Sequence, residues 1–119
     1  MEANRAFVVA LALAVCATMN VGCGPSCEDL AEDTRRELVE LSTGCTIDTD
    51  CRAVPTIAVV GAQLCAEPCV LVVRADVDDG TLRARFTPIA EDEDGCECVR
   101  PRCGPRRAVC EANRCVGIP

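Results

Sequence analysis

Cysteine most constrains how this chain can fold, because twelve of its 119 residues are cysteine. Such a density is typical of small domains cross-linked by disulfide bonds in an oxidising compartment. The chain has only two aromatic residues, Phe7 and Phe86, so large rings contribute little to a core. A single core in so short a chain supplies only a few kcal/mol, and each native disulfide adds about 2–4 kcal/mol. We therefore expect cross-links to supply much of the stability.

The charge balance excludes one class of partner. Nineteen acidic against twelve basic residues give a net charge of −7, which repels the phosphates of nucleic acids. We therefore predict no nucleic-acid partner. The chain also contains no histidine, the commonest general base and metal ligand.

The N-terminus has the pattern of an export signal. Residues 6–17, AFVVALALAVCA, form an apolar run behind the basic Arg5. This run is shorter than the roughly 20 residues that a spanning helix needs, and it fits the core of a signal peptide followed by a cleavage site. We predict that residues 1–22 are a signal peptide.

Val21-Gly22-Cys23, directly after this run, resembles the lipobox of bacterial lipoproteins, with Asn20 standing where that family prefers leucine. The resemblance implies that Cys23 becomes the first mature residue and carries a thioether-linked diacylglycerol and an N-acyl chain such as palmitate. Three acyl chains exceed the two signals that stable anchoring requires. Gly24 replaces the aspartate that retains lipoproteins at the inner membrane, so the resemblance implies the outer membrane of the cell envelope.

The number of cysteines agrees with this cleavage site. Cleavage before Cys23 removes Cys16 and uses Cys23 for the lipid, which leaves ten cysteines that can pair completely. Ordinary cleavage between the two would leave eleven, and an odd cysteine in an exported protein needs a special explanation. We expect all ten to form disulfides: Cys27, Cys45, Cys51, Cys65, Cys69, Cys96, Cys98, Cys103, Cys110 and Cys115.

Residues 23–25 are then a lipidated anchor and short linker, and residues 26–119 a stapled domain. Residues 26–42 have the apolar spacing of one helical face, with a capping box from Ser26 and Asp29 and with Gly44 after the end. Cys27 lies on the apolar stripe, so it can cross-link this helix to the rest of the domain.

Two apolar segments, residues 53–60 and 70–73, predict buried strands, with Pro55 marking an edge or a bulge in the first. Residues 74–90 fit either a hairpin around an Asp-Gly turn or a helix. We favour the hairpin, because Gly80 and Pro88 are both poor helix residues.

Residues 91–95, EDEDG, predict an exposed acidic loop, and residues 108–118 predict a closing hairpin that turns at Ala112-Asn113. The predicted fold class is therefore α+β, a small disulfide-rich domain with one N-terminal helix and a small antiparallel sheet. The cysteine order, together with Asp48 and Asp50, resembles small cysteine-rich envelope lipoproteins of bacteria with large genomes. That group has no assigned activity, so the resemblance implies the same architecture and no active site.

Enzymatic and metal chemistry find little support. No C-x2-C spacing occurs for zinc or thiol redox chemistry, and no histidine is present to activate Ser26 or Ser42. Residues 76–80, DVDDG, depart from a calcium loop in the positions of the glycine and of the final glutamate, so we interpret them as solvated turn residues. Asp48 and Asp50 are expected to cap local backbone N–H groups. We predict no catalytic residue, no metal and no cofactor.

Five arginines near the C-terminus allow two interpretations. They either pair with the excess acid of the domain or present a recognition surface, which in VRPRCGPRR could be bait for a trypsin-like protease. The residues are Arg100, Arg102, Arg106, Arg107 and Arg114. We therefore predict a membrane-anchored lipoprotein with a structural or binding role and a protein partner in the envelope; the alternative is a proteinase inhibitor.

The neighbouring cysteines Cys96 and Cys98 should each bond elsewhere, because a bridge across one residue is far from ordinary disulfide geometry. In a strand both side chains point to one face, so both are expected to reach residues 51–69.

Overall fold

The computed structural model describes residues 24–119, so the predicted signal peptide and Cys23 lie outside the described residues. The described chain is an α+β disulfide-rich domain, as its sequence predicts, but with two further helices and two separate sheets. Its elements in chain order are α1 (Cys27–Ser42), a 3-10 turn (Asp48–Asp50), β1 (Cys51–Pro55), α2 (Thr56–Val60), β2 (Val70–Arg74), α3 (Asp79–Asp92), β3 (Arg107–Glu111) and β4 (Arg114–Ile118).

Helix α1 begins and ends as its sequence predicts. Ser26 is the N-cap, its hydroxyl accepts the Asp29 N–H at 3.1 Å, and the Asp29 carboxylate accepts the Ser26 N–H. The last turn has no basic residue of its own, and Arg74 of β2 donates to the carbonyls of Glu40 and Thr43. A residue distant in sequence therefore satisfies two of the free carbonyls at the end of this helix.

The predicted strand over residues 53–60 is wrong in its second half. Strand β1 ends at Pro55, which has no N–H for a sheet, and Thr56 begins α2. The Thr56 N–H donates to the carbonyl of Cys69 and its hydroxyl donates to that of Glu67, both at 3.0 Å. Gly61 ends this helix at a φ of 86°, where a residue with a β-carbon would be strained.

The predicted hairpin in residues 74–90 is also wrong, because this segment forms α3. Asp78 caps the helix by accepting the Thr81 N–H at 2.7 Å, which places Gly80 in the first turn. Leu82, Phe86 and Ile89 are buried on one side of α3. Burial of this stripe outweighs the unfavourable helix propensities that favoured the hairpin.

Each sheet is a two-stranded antiparallel pair. In the first, Cys51 pairs with Arg74 and Pro55 with Val70, which confirms the predicted strand over residues 70–73. The second is the predicted C-terminal hairpin, whose turn residues Ala112 and Asn113 have φ values of 49° and 67°. A β-carbon on Gly117 would lie 3.1 Å from the side chain of Val72, so glycine allows β4 to approach β2 closely.

Two buried clusters differ in composition. The larger consists of apolar side chains from the helices, from β1 and β2 and from their connections, with Leu64, Leu71, Val73, Leu82 and Phe86 fully buried. The smaller consists of Cys45, Cys51 and Cys115, with Val72, Ala108 and Cys110 packed against them. In the described part of the chain, no helix is long and apolar enough to cross a membrane.

Candidate functional site

The disulfides connect two parts of the molecule that differ in charge. We call residues 26–95 the body and residues 96–119 the C-terminal segment. Each of the five disulfides joins one cysteine of the body to one of the segment, in the pairs Cys27–Cys96, Cys45–Cys110, Cys51–Cys115, Cys65–Cys98 and Cys69–Cys103. The body has sixteen acidic and six basic residues, and the segment has two acidic and five basic residues. The segment is therefore a basic strip bound covalently to an acidic body.

Cys96 and Cys98 bond to different partners, as expected from the geometry of a one-residue ring. Cys98 reaches Cys65, inside the predicted range of residues 51–69. Cys96 does not: it bonds to Cys27 at the start of α1, so Cys27 connects the first helix to the end of α3. Sequence alone could not choose between these partners, because the pairing depends on where α3 ends.

Two clusters bring potential metal ligands close together. The sulfurs of Cys45, Cys51 and Cys115 lie within 4.8 Å of one another, and so do the ligand atoms of Cys65, Glu93 and Cys98. All five cysteines are bonded in disulfides, and zinc is bound by thiolates. Both clusters are therefore cross-links in this state of the protein.

Glu93 is the residue that sequence analysis most clearly misplaced. The sequence predicts an exposed acidic loop over residues 91–95, but Glu93 is only 6% exposed. Both carboxylate oxygens accept the backbone N–H of Cys65, at 3.3 and 3.2 Å. Burial raises the pKa of this carboxyl, and the hydrogen bond from Cys65 opposes that shift. The prediction fails because a run of acidic residues in the sequence does not show which of their side chains points inward at the end of a helix.

The two aspartates that were expected to cap local backbone do so only in part. The Asp50 carboxylate accepts the N–H groups of Thr46 and Ile47, and these bonds lower its pKa. Asp48 instead accepts the N–H of the distant Cys110 at 2.8 Å, so it joins the 3-10 turn to β3. Asp78 caps α3 through Thr81, which also lowers its pKa.

The five C-terminal arginines are exposed, and among residues 24–119 none of them forms an ion pair. The expectation that they pair directly with the acid of the domain is therefore not met. The ion pairs of the described chain use arginines of the body instead, for example Arg85 with Glu37 at 2.7 Å. Within residues 24–119, the side chain of Arg114 donates only to the hydroxyl of the buried Ser42, at 3.4 Å.

Arg106 and Arg114 line a cleft of about 230 Å³ between the C-terminal hairpin and the body. Leu38 and Val72 form part of its apolar wall, and Glu67 adds a half-buried carboxylate. Burial raises the pKa of Glu67, while the charges of Arg106, Arg35 and Arg114 oppose the shift. The guanidinium groups of this cleft can bind a carboxylate.

A second feature is the irregular chain from Cys96 to Arg106, which contains no helix, strand or turn. We call residues 98–103 the stapled loop. Its first residue is bonded to Cys65 and its last to Cys69. Every residue from Val99 to Arg107 is exposed, and Val99 is 85% exposed.

Comparison with known proteins supplies no relative: a scan of protein-family models, a search of curated proteins and a search of solved structures each found no match. Functional argument therefore rests on the residues themselves. The hydroxyls of Ser26 and Ser42 are used for helix capping and for the contact with Arg114. The stapled loop and the arginines around it are the exposed, irregular part of the described chain, and no ion pair within residues 24–119 uses these arginines.

Proposed function

We propose that this protein is a lipid-anchored binding module of the bacterial cell envelope, tethered to the outer membrane through Cys23, and that it is not an enzyme. The observation that supports binding is a group of five exposed arginines that form no ion pair within the described chain, on a segment that disulfides hold in place. An unpaired guanidinium on a fixed backbone can bind a partner's carboxylates with little loss of backbone conformational entropy. The proposed partner is an envelope protein with an acidic surface.

The anchor is supported by the Val-Gly-Cys site and by the pairing of the ten remaining cysteines. Ser26 is already the N-cap of α1, so the proposed linker between lipid and domain is only residues 24–25. Intact-mass analysis of membrane-extracted protein should find a chain that begins at Cys23 with a diacylglyceryl adduct. A soluble chain with unmodified Cys23 would refute the anchor.

The binding role can be tested by photo-crosslinking in cells. A photo-reactive amino acid in place of Val99, next to the arginines, should capture a defined partner protein. The same amino acid in place of Val39, which is 45% exposed on α1, is the matched control. Capture from position 99 should disappear when Arg100, Arg102 and Arg107 are changed together to glutamine. Equal capture from both positions, or capture that survives the triple change, would contradict a binding role for the arginines.

A proteinase inhibitor is the second candidate, and the stapled loop favours it. Inhibitors present an exposed, pre-organised segment to the protease, and they keep the two new chain ends in place after cleavage. A short basic loop that is cross-linked at both ends has these properties.

A further inference from the structure

We infer that the stapled loop is a reactive site for a serine protease of trypsin-like specificity, with Arg102–Cys103 as the bond presented to the enzyme. This inference rests on the second candidate function, and it specifies the partner class and the bond. The partner is defined by its chemistry, an acidic pocket that accepts an arginine side chain beside a nucleophilic serine.

Elimination among the arginines selects this bond. Eight of the eleven described arginines lie in helices or strands, where the backbone is not free to enter an enzyme cleft. Of the other three, Arg100 precedes Pro101, whose rigid ring and missing backbone N–H prevent this bond from fitting such a cleft. Arg106 precedes Arg107, which is already paired with Ile118 in the hairpin. Only Arg102 is followed by an irregular, exposed residue with a free N–H.

Buried groups of the body fix the residues to which the stapled loop is cross-linked. Its cross-links end at Cys65 and Cys69, five residues of chain that we call the support segment (residues 65–69). The buried Glu93 carboxylate holds the N–H of Cys65 at one end, and the fully buried Thr56 binds the carbonyls of Glu67 and Cys69 at the other. A fixed support gives the exposed loop a defined position before any partner binds, which lowers the entropic cost of binding.

The two staples also determine what happens after cleavage. Residues up to Arg102 remain attached through Cys98–Cys65, and residues from Cys103 onward remain attached through Cys103–Cys69. The two Cα atoms are 5.4 Å apart in the Cys65–Cys98 bridge and 5.2 Å apart in the Cys69–Cys103 bridge. Neither new end can diffuse away, so the released amine stays at high effective concentration beside the acyl group.

The chemical step can be written in full. The serine oxygen of the protease bonds to the carbonyl carbon of Arg102, and the enzyme's base takes the serine proton. The bond to the Cys103 nitrogen breaks, and that nitrogen receives the proton and becomes an amine. The tethered amine can attack the ester and restore both the peptide bond and the serine hydroxyl. Hydrolysis of the ester by water is the competing route. Because the amine is tethered, its attack on the ester is faster than hydrolysis.

The test uses the full oxidised chain in detergent, titrated against trypsin with a small chromogenic substrate. We expect inhibition, and no comparable inhibition of chymotrypsin. Prolonged incubation should give one cleavage, between Arg102 and Cys103. The cleaved protein should gain the mass of one water molecule, and its two fragments should stay joined until the disulfides are reduced. Rapid digestion into several fragments without inhibition would overturn the inference.

Two substitutions sharpen the test. Arg102→Gln should weaken inhibition about 100-fold or more, because it leaves the acidic pocket of the enzyme unpaired. Arg102→Lys should retain most of the inhibition, and Arg107→Gln, in the hairpin, should change it less than about 3-fold. Absence of thiol labelling confirms that each variant has kept its disulfides. Inhibition that is equally strong in Arg102→Gln would place the reactive bond elsewhere.

The outcome separates this inference from the proposed binding role. If trypsin is not inhibited but crosslinking from position 99 still depends on the arginines, the protease inference is wrong and the binding module stands. If both experiments fail, both proposals are wrong.

Discussion

The body and the C-terminal segment are stabilised in different ways. The body buries apolar side chains from three helices and two strands, and Phe86 and four aliphatic side chains are fully buried there. In the segment, Cys115 is the only described residue that is buried, and it is half of a disulfide. All five cross-links run between these two parts. The comparison shows that disulfides can attach a segment that has too little apolar surface to form a core of its own.

The C-terminal segment itself divides into two regions. Its hairpin has ladder hydrogen bonds and packs the buried sulfurs of Cys51 and Cys115 against the body. Its irregular part, which includes the stapled loop, has exposed side chains and no strand partner. In the hairpin, cross-links add to the stability that strand pairing gives. In the irregular part, cross-links fix the chain without any strand pairing. Exposed backbone that is fixed without being paired is suited to recognition by a partner.

The largest effect is expected in the body. Phe86→Ala removes a fully buried ring from the centre of the larger cluster and should cost about 4 kcal/mol of unfolding free energy. Urea unfolding of the oxidised protein measures this loss. Ile57→Ala is the control, because Ile57 is 61% exposed and its truncation should change stability by less than about 0.5 kcal/mol. Similar losses for the two variants would show that the apolar cluster does not dominate the stability of the body.

Next in size is the cross-link beneath the hairpin. Replacing Cys51 and Cys115 together with alanine should cost about 3 kcal/mol, since this bridge spans 64 residues and its sulfurs are buried. Amide hydrogen exchange should show faster exchange in β3 and β4 than in α1 and α3. Uniform acceleration over the whole domain would mean that the body and the segment unfold as one unit.

A smaller effect is expected at the start of α1. Ser26→Ala removes the hydroxyl that accepts the Asp29 N–H and should cost about 1 kcal/mol. Ser26→Asp keeps an acceptor at the cap and should recover most of that stability. Thermal unfolding of the two variants distinguishes loss of the cap from loss of the side chain itself. Equal destabilisation by both changes would contradict the capping role.

The smallest effect concerns pH. Burial raises the pKa of Glu93 in the folded state, so the folded protein holds this proton more tightly than the unfolded chain does. The stability that this group contributes is present below its unfolded pKa and is lost as the pH rises through its folded pKa. Glu93→Gln does not titrate there, so its stability relative to the native protein should increase between about pH 4 and about pH 7.

Asp50 gives the opposite sign and serves as the control. Hydrogen bonds from Thr46 and Ile47 lower its pKa, so its contribution is present above the unfolded pKa and is lost as the pH falls through the folded pKa. Asp50→Asn should therefore lose stability relative to the native protein as the pH rises. Urea unfolding at about pH 2, about pH 4 and about pH 7 tests both signs, with the Asp50 variant compared over the lower interval and the Glu93 variant over the upper one. Slopes of the same sign for the two variants would refute the assignment.

Local sequence signals determined those parts of the fold that depend on neighbouring residues. The Ser26–Asp29 capping box, the apolar stripe of α1 and the Ala112-Asn113 turn are each set within a few residues, and the structure shows all three. The cysteine content likewise indicated a disulfide-rich domain, because so short a chain with few aromatic residues needs cross-links. The lipid anchor on Cys23 stays a prediction, since that residue lies outside the described part of the chain.

Tertiary structure decided what local pattern leaves open. Residues 74–90 have a composition that is acceptable for either hairpin or helix, and burial of Phe86 against the rest of the core selects the helix. That helix ends at the position that turns Glu93 inward to Cys65 and directs Cys96 to Cys27. The disulfide pairs follow from such distances in space, because two cysteines bond only when the fold brings their Cα atoms within about 7 Å. The stapled loop exists for the same reason: Cys98 and Cys103 lie far along the chain from Cys65 and Cys69, and only packing of the body places the two partners side by side.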